Sequence, residues 1–100
     1  MSTPLSATQK RYLRGLAHPL KPVILMGGKG LTESLLAELD LALEHHELVK
    51  VRLAADDRKA RDELVEALVE RSNARLVQRI GNIACLYRRH PDAPMISLPH

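Results

Sequence analysis

The hydrophobic period of this chain switches back and forth between that of a helix and that of a strand, and no other feature limits the fold as much. Leu13, Leu16, Ala17 and Leu20 recur at helical spacing and predict a first helix with those four as its buried stripe. Ser6 and Gln9 stand ahead of it in the capping-box arrangement, and Pro19 limits its extension. Pro22-Val23-Ile24-Leu25-Met26 is a short apolar run bounded by Pro and Gly, the pattern of a buried strand. Thr32 can cap a second helix whose apolar face is Leu35, Leu36, Leu39, Ala42 and Leu43. From Leu48 to Ala54 the pattern alternates, Val49, Val51 and Leu53 against Lys50 and Arg52, so a strand with one polar face is expected. Asp56 or Asp57 caps a third helix with Ala60, Leu64, Val65, Ala67, Leu68 and Val69 on its apolar side, and Asn73 is its stop. Leu76–Ile80 and Ile83–Tyr87 flank Gly81-Asn82, which reads as a hairpin.

The element order is therefore α-β-α-β-α-β-β. Strands separated by helices favour parallel neighbours joined by crossovers, and the hairpin adds an antiparallel pair. Residues 1–100 form a single compact α/β domain on this reading, with its core over about 5–90. The segment 91–100 holds three prolines and is expected to be extended or loosely attached.

Charge is distributed unevenly. Residues 1–30 hold five bases (Lys10, Arg11, Arg14, Lys21 and Lys29) and no acid. Residues 31–70 hold eleven acids against five bases, and residues 71–100 hold five bases against one acid. A chain segregated in this way is suited to meeting a polyanion with one face. Its apolar runs are too short to span a bilayer, and nothing at the N-terminus resembles a secretory signal. The single cysteine, Cys85, lies in an apolar run and reads as a small buried hydrophobe. A cytoplasmic protein is expected.

Gly27-Gly28-Lys29-Gly30 sits where the first strand becomes the second helix. Glycines let a ligand approach the backbone, the N–H groups opening a helix attract anions, and Lys29 adds a positive charge. A G-x-x-G loop of this kind can clamp a nucleic-acid backbone. It has neither the Walker A spacing nor the G-x-G-x-x-G dinucleotide pattern. His45 and His46 are adjacent at a helix end, while His18, His90 and His100 are isolated, so no metal site is expected. No nucleophile, base or metal accompanies the loop, so neither a catalytic site nor a cofactor is expected, and a phosphate-binding enzyme is the weakest reading.

Several stretches resemble the CRM domain family, whose name refers to chloroplast RNA splicing and ribosome maturation. They are Leu13-Arg14-Gly15-Leu16-Ala17-His18-Pro19-Leu20-Lys21-Pro22, Gly27-Gly28-Lys29-Gly30-Leu31-Thr32, and Glu44-His45-His46-Glu47-Leu48-Val49-Lys50-Val51. Gly81, Leu86-Tyr87-Arg88 and the closing Ile96-Ser97-Leu98-Pro99 also fit, and the likeness is to the stand-alone bacterial, YhbY-type branch. The resemblance implies a four-stranded mixed sheet like that of the C-terminal domain of a bacterial translation initiation factor. It also implies RNA binding without catalysis, with ribosomal RNA and the precursor of the large ribosomal subunit as partners. The family's binding loop carries over to Gly27, Gly28, Lys29 and Gly30. Lys10, Arg11, Arg14, Lys21, Thr32, Lys50 and Arg88 are the further RNA-binding candidates. With Tyr12 and Tyr87 as the only aromatic residues, no aromatic stacking platform is expected and sequence specificity should be low. A different reading makes the protein an adaptor whose acidic helices dock on ribosomal proteins.

Overall fold

The computed structural model describes residues 4–99, so His100 lies outside it. Its elements are α1 (Ala7–Ala17), β1 (Ile24–Leu25), α2 (Glu33–His46), β2 (Leu48–Arg52), α3 (Arg58–Ser72), β3 (Arg75–Ile80) and β4 (Ile83–Tyr87). The four strands form one sheet in the order β1-β2-β4-β3. β1 runs parallel to β2, while β4 is antiparallel to both β2 and β3. The helix between β2 and β3 therefore does not bring those strands side by side. β4 inserts between them and fills both ladders, in place of the adjacent parallel pairing that the helix alone would favour.

The local signals operate as their chemistry requires. The Ser6 hydroxyl accepts from the Gln9 N–H at 3.1 Å and the Gln9 carboxamide accepts from the Ser6 N–H at 3.0 Å, closing the capping box of α1. Thr32 caps α2, Asp57 rather than Asp56 caps α3, and Asn73 ends α3 in the left-handed conformation at φ 61°. Gly81 turns the hairpin at φ 57°.

Two apolar clusters cover the two faces of the sheet. α2 and α3 bury Leu35, Leu39, Leu43, Val65 and Leu68 against Ile24, Val49, Val51, Ala84 and Leu86. On the other face Leu13 and Ala17 of α1 pack on Leu48, Val77, Cys85 and Tyr87, joined by Leu5, Ile96 and Leu98. Val77 of this second cluster stands at a bulge between Leu76 and Gln78, which sets Gln78 opposite Cys85 and Ile80 opposite Ile83.

Two expectations change. Leu16 and Leu20 are not buried but 39% and 41% exposed. Leu13 and Ala17 supply the contact, Leu16 is rotated about 60° from Leu13, and Leu20 lies beyond the helix end. β1 is likewise not a fully buried strand. Ile24 and Met26 are buried, but Val23 and Leu25 point to the α1 face, which α1 leaves bare at this edge. The segment from Pro91 has no regular secondary structure, yet it is fastened: the N–H groups of His90, Met95 and Ile96 donate to the Glu47 carboxylate at 2.7–2.8 Å.

Candidate functional site

β1, β2 and β3 run in the same direction, so their C-terminal ends meet at one end of the sheet. The glycine loop and the hairpin turn therefore share that end. The turn is tied there by the Leu53 N–H donating to the Asn82 carbonyl at 2.6 Å and by Arg61 donating to the Asn82 side chain at 3.1 Å.

In the loop the Gly30 N–H donates to the Gly27 carbonyl at 2.9 Å, a tight turn with Gly28 and Lys29 at its tip. Gly30 has φ 72°, where a side chain would be strained. Gly28 differs: its φ is not in that region, and a Cβ there would meet only open space. The fold does not require glycine at 28. The loop borders a shallow hollow of about 280 Å³, lined also by Leu25, Thr32, Ser34, Leu35 and Glu38. Glu38 is the one acid of that lining. The Thr32 hydroxyl accepts from the Leu35 N–H at 3.1 Å, so this candidate is engaged as a helix cap at the rim.

Lys10, Arg11, Arg14, Lys21 and Lys29 are all exposed. Among the described residues none of the five has an ion-pair partner. Lys10, Arg14 and His18 recur four residues apart and so lie along one flank of α1. His18 reaches a second hollow, of about 250 Å³, formed with Lys50, Gln78, Ile80, Ile83 and Cys85. Lys50 is half-buried there, its ammonium donating to the Leu20 carbonyl at 2.9 Å.

Arg88 is placed differently from the other candidates. Its guanidinium donates to the Asp40 carboxylate at 2.7 Å, the Ser72 carbonyl at 2.9 Å and the Asp40 carbonyl at 3.1 Å, with Glu44 at 3.4 Å. It joins the end of β4 to α2 and the end of α3, and its charge is spent on the fold. Arg52, Leu25 and Ile80, outside the candidate set, are also exposed on the sheet. The alternation of Lys50 and Arg52 marked a polar face, but nothing local showed that no helix covers it.

Burial pushes the Cys85 thiol up to about 11, with the Lys50 charge opposing, so it is a poor nucleophile. Among the described residues no three His, Cys, Asp or Glu side chains come together as a metal site. No described helix is long and apolar enough to cross a membrane.

Comparison with known proteins bears on this arrangement. Residues 5–88 match the family model of the CRS1/YhbY (CRM) domain. A Haemophilus influenzae protein named as RNA-binding is 50% identical over 97 residues, covering 97% of each chain. A Pseudomonas aeruginosa protein named as a probable RNA-binding protein is 45% identical over 87 residues, 87% of this chain and 84% of that one. The solution structure of a Staphylococcus aureus protein proposed to bind RNA superposes with a TM-score of 0.83 at 38% identity, covering 95% of this chain and 99% of that one.

Proposed function

The chain belongs to the CRS1/YhbY (CRM) domain family, and from that premise we propose that it binds RNA without catalysis. Its role on this reading is to hold precursor ribosomal RNA in the cytoplasm during assembly of the large ribosomal subunit. Gly27, Gly28, Lys29 and Gly30 contact the phosphodiester backbone, and Lys10, Arg11, Arg14 and Lys21 supply the surrounding field.

One observation carries the reading. Five exposed cations of the N-terminal segment lack any described carboxylate partner, although the chain contains twelve acids. Leaving like charges unpaired costs stability through self-repulsion, and an external polyanion relieves that cost. The acids are in part otherwise engaged: Glu33 pairs with Arg71, Asp62 with Arg79, and Asp40 and Glu44 with Arg88. A docking role for the acidic helices is weakened to that extent.

The test is crosslinking in cells with sequencing of the bound RNA, comparing wild type with the Lys29→Ala, Arg14→Ala double variant. The expected result is a peak in large-subunit ribosomal RNA that fades in the variant. A peak of unchanged height would place the contact elsewhere, and a protein that captures no RNA would refute the reading.

A further inference from the structure

The half of the sheet that α1 leaves bare carries a single row of side chains across all four strands. Leu25 pairs with Arg52, Arg52 with Ile83, and Ile83 with Ile80, so the four stand abreast on the α1 face. Leu25 is 64% exposed and Ile80 67%, Ile83 is half-buried, and Arg52 is exposed, its side chain without an ion-pair partner among the described residues. The helix above is 11 residues long and packs through Leu13 and Ala17 on Leu48, Val77, Cys85 and Tyr87, and its last residue, Ala17, reaches only the edge of the hollow that Ile80 and Ile83 line. The row also connects the two hollows. Leu25 lines the one beside the glycine loop, while Ile80 and Ile83 line the one shared with Lys50 and His18.

We propose that this row is the platform on which unpaired bases of the bound RNA lie. The inference rests on the proposed RNA-binding function and adds which part of the RNA is recognised. Charge and shape favour this occupant. The row is apolar except for one guanidinium, and two further cations stand beside it, Lys50 in the next row and Lys29 at the loop, against one acid, Glu38, in the loop hollow. A guanidinium is planar and stacks on bases, and the side chains paired beside Arg52, Leu25 and Ile83, offer it no acceptor. Three interstrand spacings make the row about 14 Å long, the width of a four-stranded sheet, on which about two or three unpaired bases can lie. Gly27 follows Leu25 by two residues, about 7 Å of extended chain. A strand whose phosphates rest on the glycine loop is therefore delivered onto the row. This assigns Arg52 and Ile80 to selecting unpaired over paired RNA, a task that duplex-facing phosphate contacts do not perform.

The test compares two probes of equal charge, an unpaired ten-nucleotide RNA and its abasic ribose-phosphate counterpart, by fluorescence anisotropy. Wild type should bind the base-bearing strand about tenfold more tightly or better. In Arg52→Lys and Ile80→Ser, which change exposed positions and keep the fold by circular dichroism, that preference should shrink severalfold. Lys29→Ala should weaken both probes alike. Equal wild-type affinity for the two probes would overturn the platform while leaving backbone binding intact. No binding to either probe or to a duplex would remove the RNA-binding reading itself. A dimer in sedimentation that Ile80→Asp dissolves, with no base preference, would give the row to a second copy of the chain and also overturn the proposal.

Discussion

Glu47 is a fully buried carboxylate at the C-cap of α2, held at φ 61°, a conformation uncommon for a residue with a side chain. Its side chain accepts three N–H groups of the closing segment, and its carbonyl accepts from the Arg88 N–H at 2.9 Å. Hydrogen bonds to a charged acceptor are stronger than neutral ones, and buried donors left without a partner are costly. Glu47→Ala should therefore lose about 3 kcal/mol of stability in urea denaturation and expose the segment after Pro91 to protease. At Cys85 the prediction concerns pH. Burial holds the thiol protonated, so the folded state keeps a proton that the unfolded chain releases. Stability should thus fall as pH rises from 9.0, the ordinary thiol value, towards about 11. The burial and the nearby Glu47 that raise Tyr87 act in the same direction. Cys85→Ala should flatten the alkaline limb of a stability-versus-pH curve.

At the scale of elements, the structure separates Arg88 from the exposed candidate cations, with half-buried Lys50, bonded to the Leu20 carbonyl, between the two. Those of α1 and the glycine loop face solvent without partners, whereas Arg88 ties β4 to α2 and α3. Arg88→Met should cost roughly 2 kcal/mol, because it leaves Asp40 and the Ser72 carbonyl without their donor. The folded variant should bind RNA as wild type does. Within the loop the two glycines should also part company. Gly30→Ala forces a side chain into φ 72° and should lower stability by about 1 kcal/mol. Gly28→Ala should leave stability within about 0.5 kcal/mol and weaken RNA binding instead. Chemical denaturation and anisotropy on the same two proteins separate these outcomes.

At the scale of the molecule, the α1 flank, the open half of the sheet and the glycine loop form a cationic tract. The acids sit largely on α2 and α3, and several of them are engaged in ion pairs across or beyond those helices. If four to six phosphates are neutralised, a plot of log K against log salt should have a slope of roughly −3 to −5. Lys29→Ala should reduce that slope by about one unit. A slope near zero in a titration from low to moderate salt would contradict a phosphate-centred interface.

Local chemistry sufficed for much of this protein. The capping box at Ser6 and Gln9, the Asn73 stop, the Gly81 turn and the alternation of β2 are decided by neighbours in sequence, where backbone sterics and short-range hydrogen bonds act. The position of the glycine loop between a strand and a helix follows for the same reason. Three matters depended on contacts that no local pattern encodes. β4 inserts between β2 and β3 because ladder partners are chosen across the whole sheet. Glu47 binds donors 43 to 49 residues away. The row of Leu25, Arg52, Ile83 and Ile80 stays open because α1 is too short to cover it, and whether an apolar strand residue is buried is settled by the layer above it.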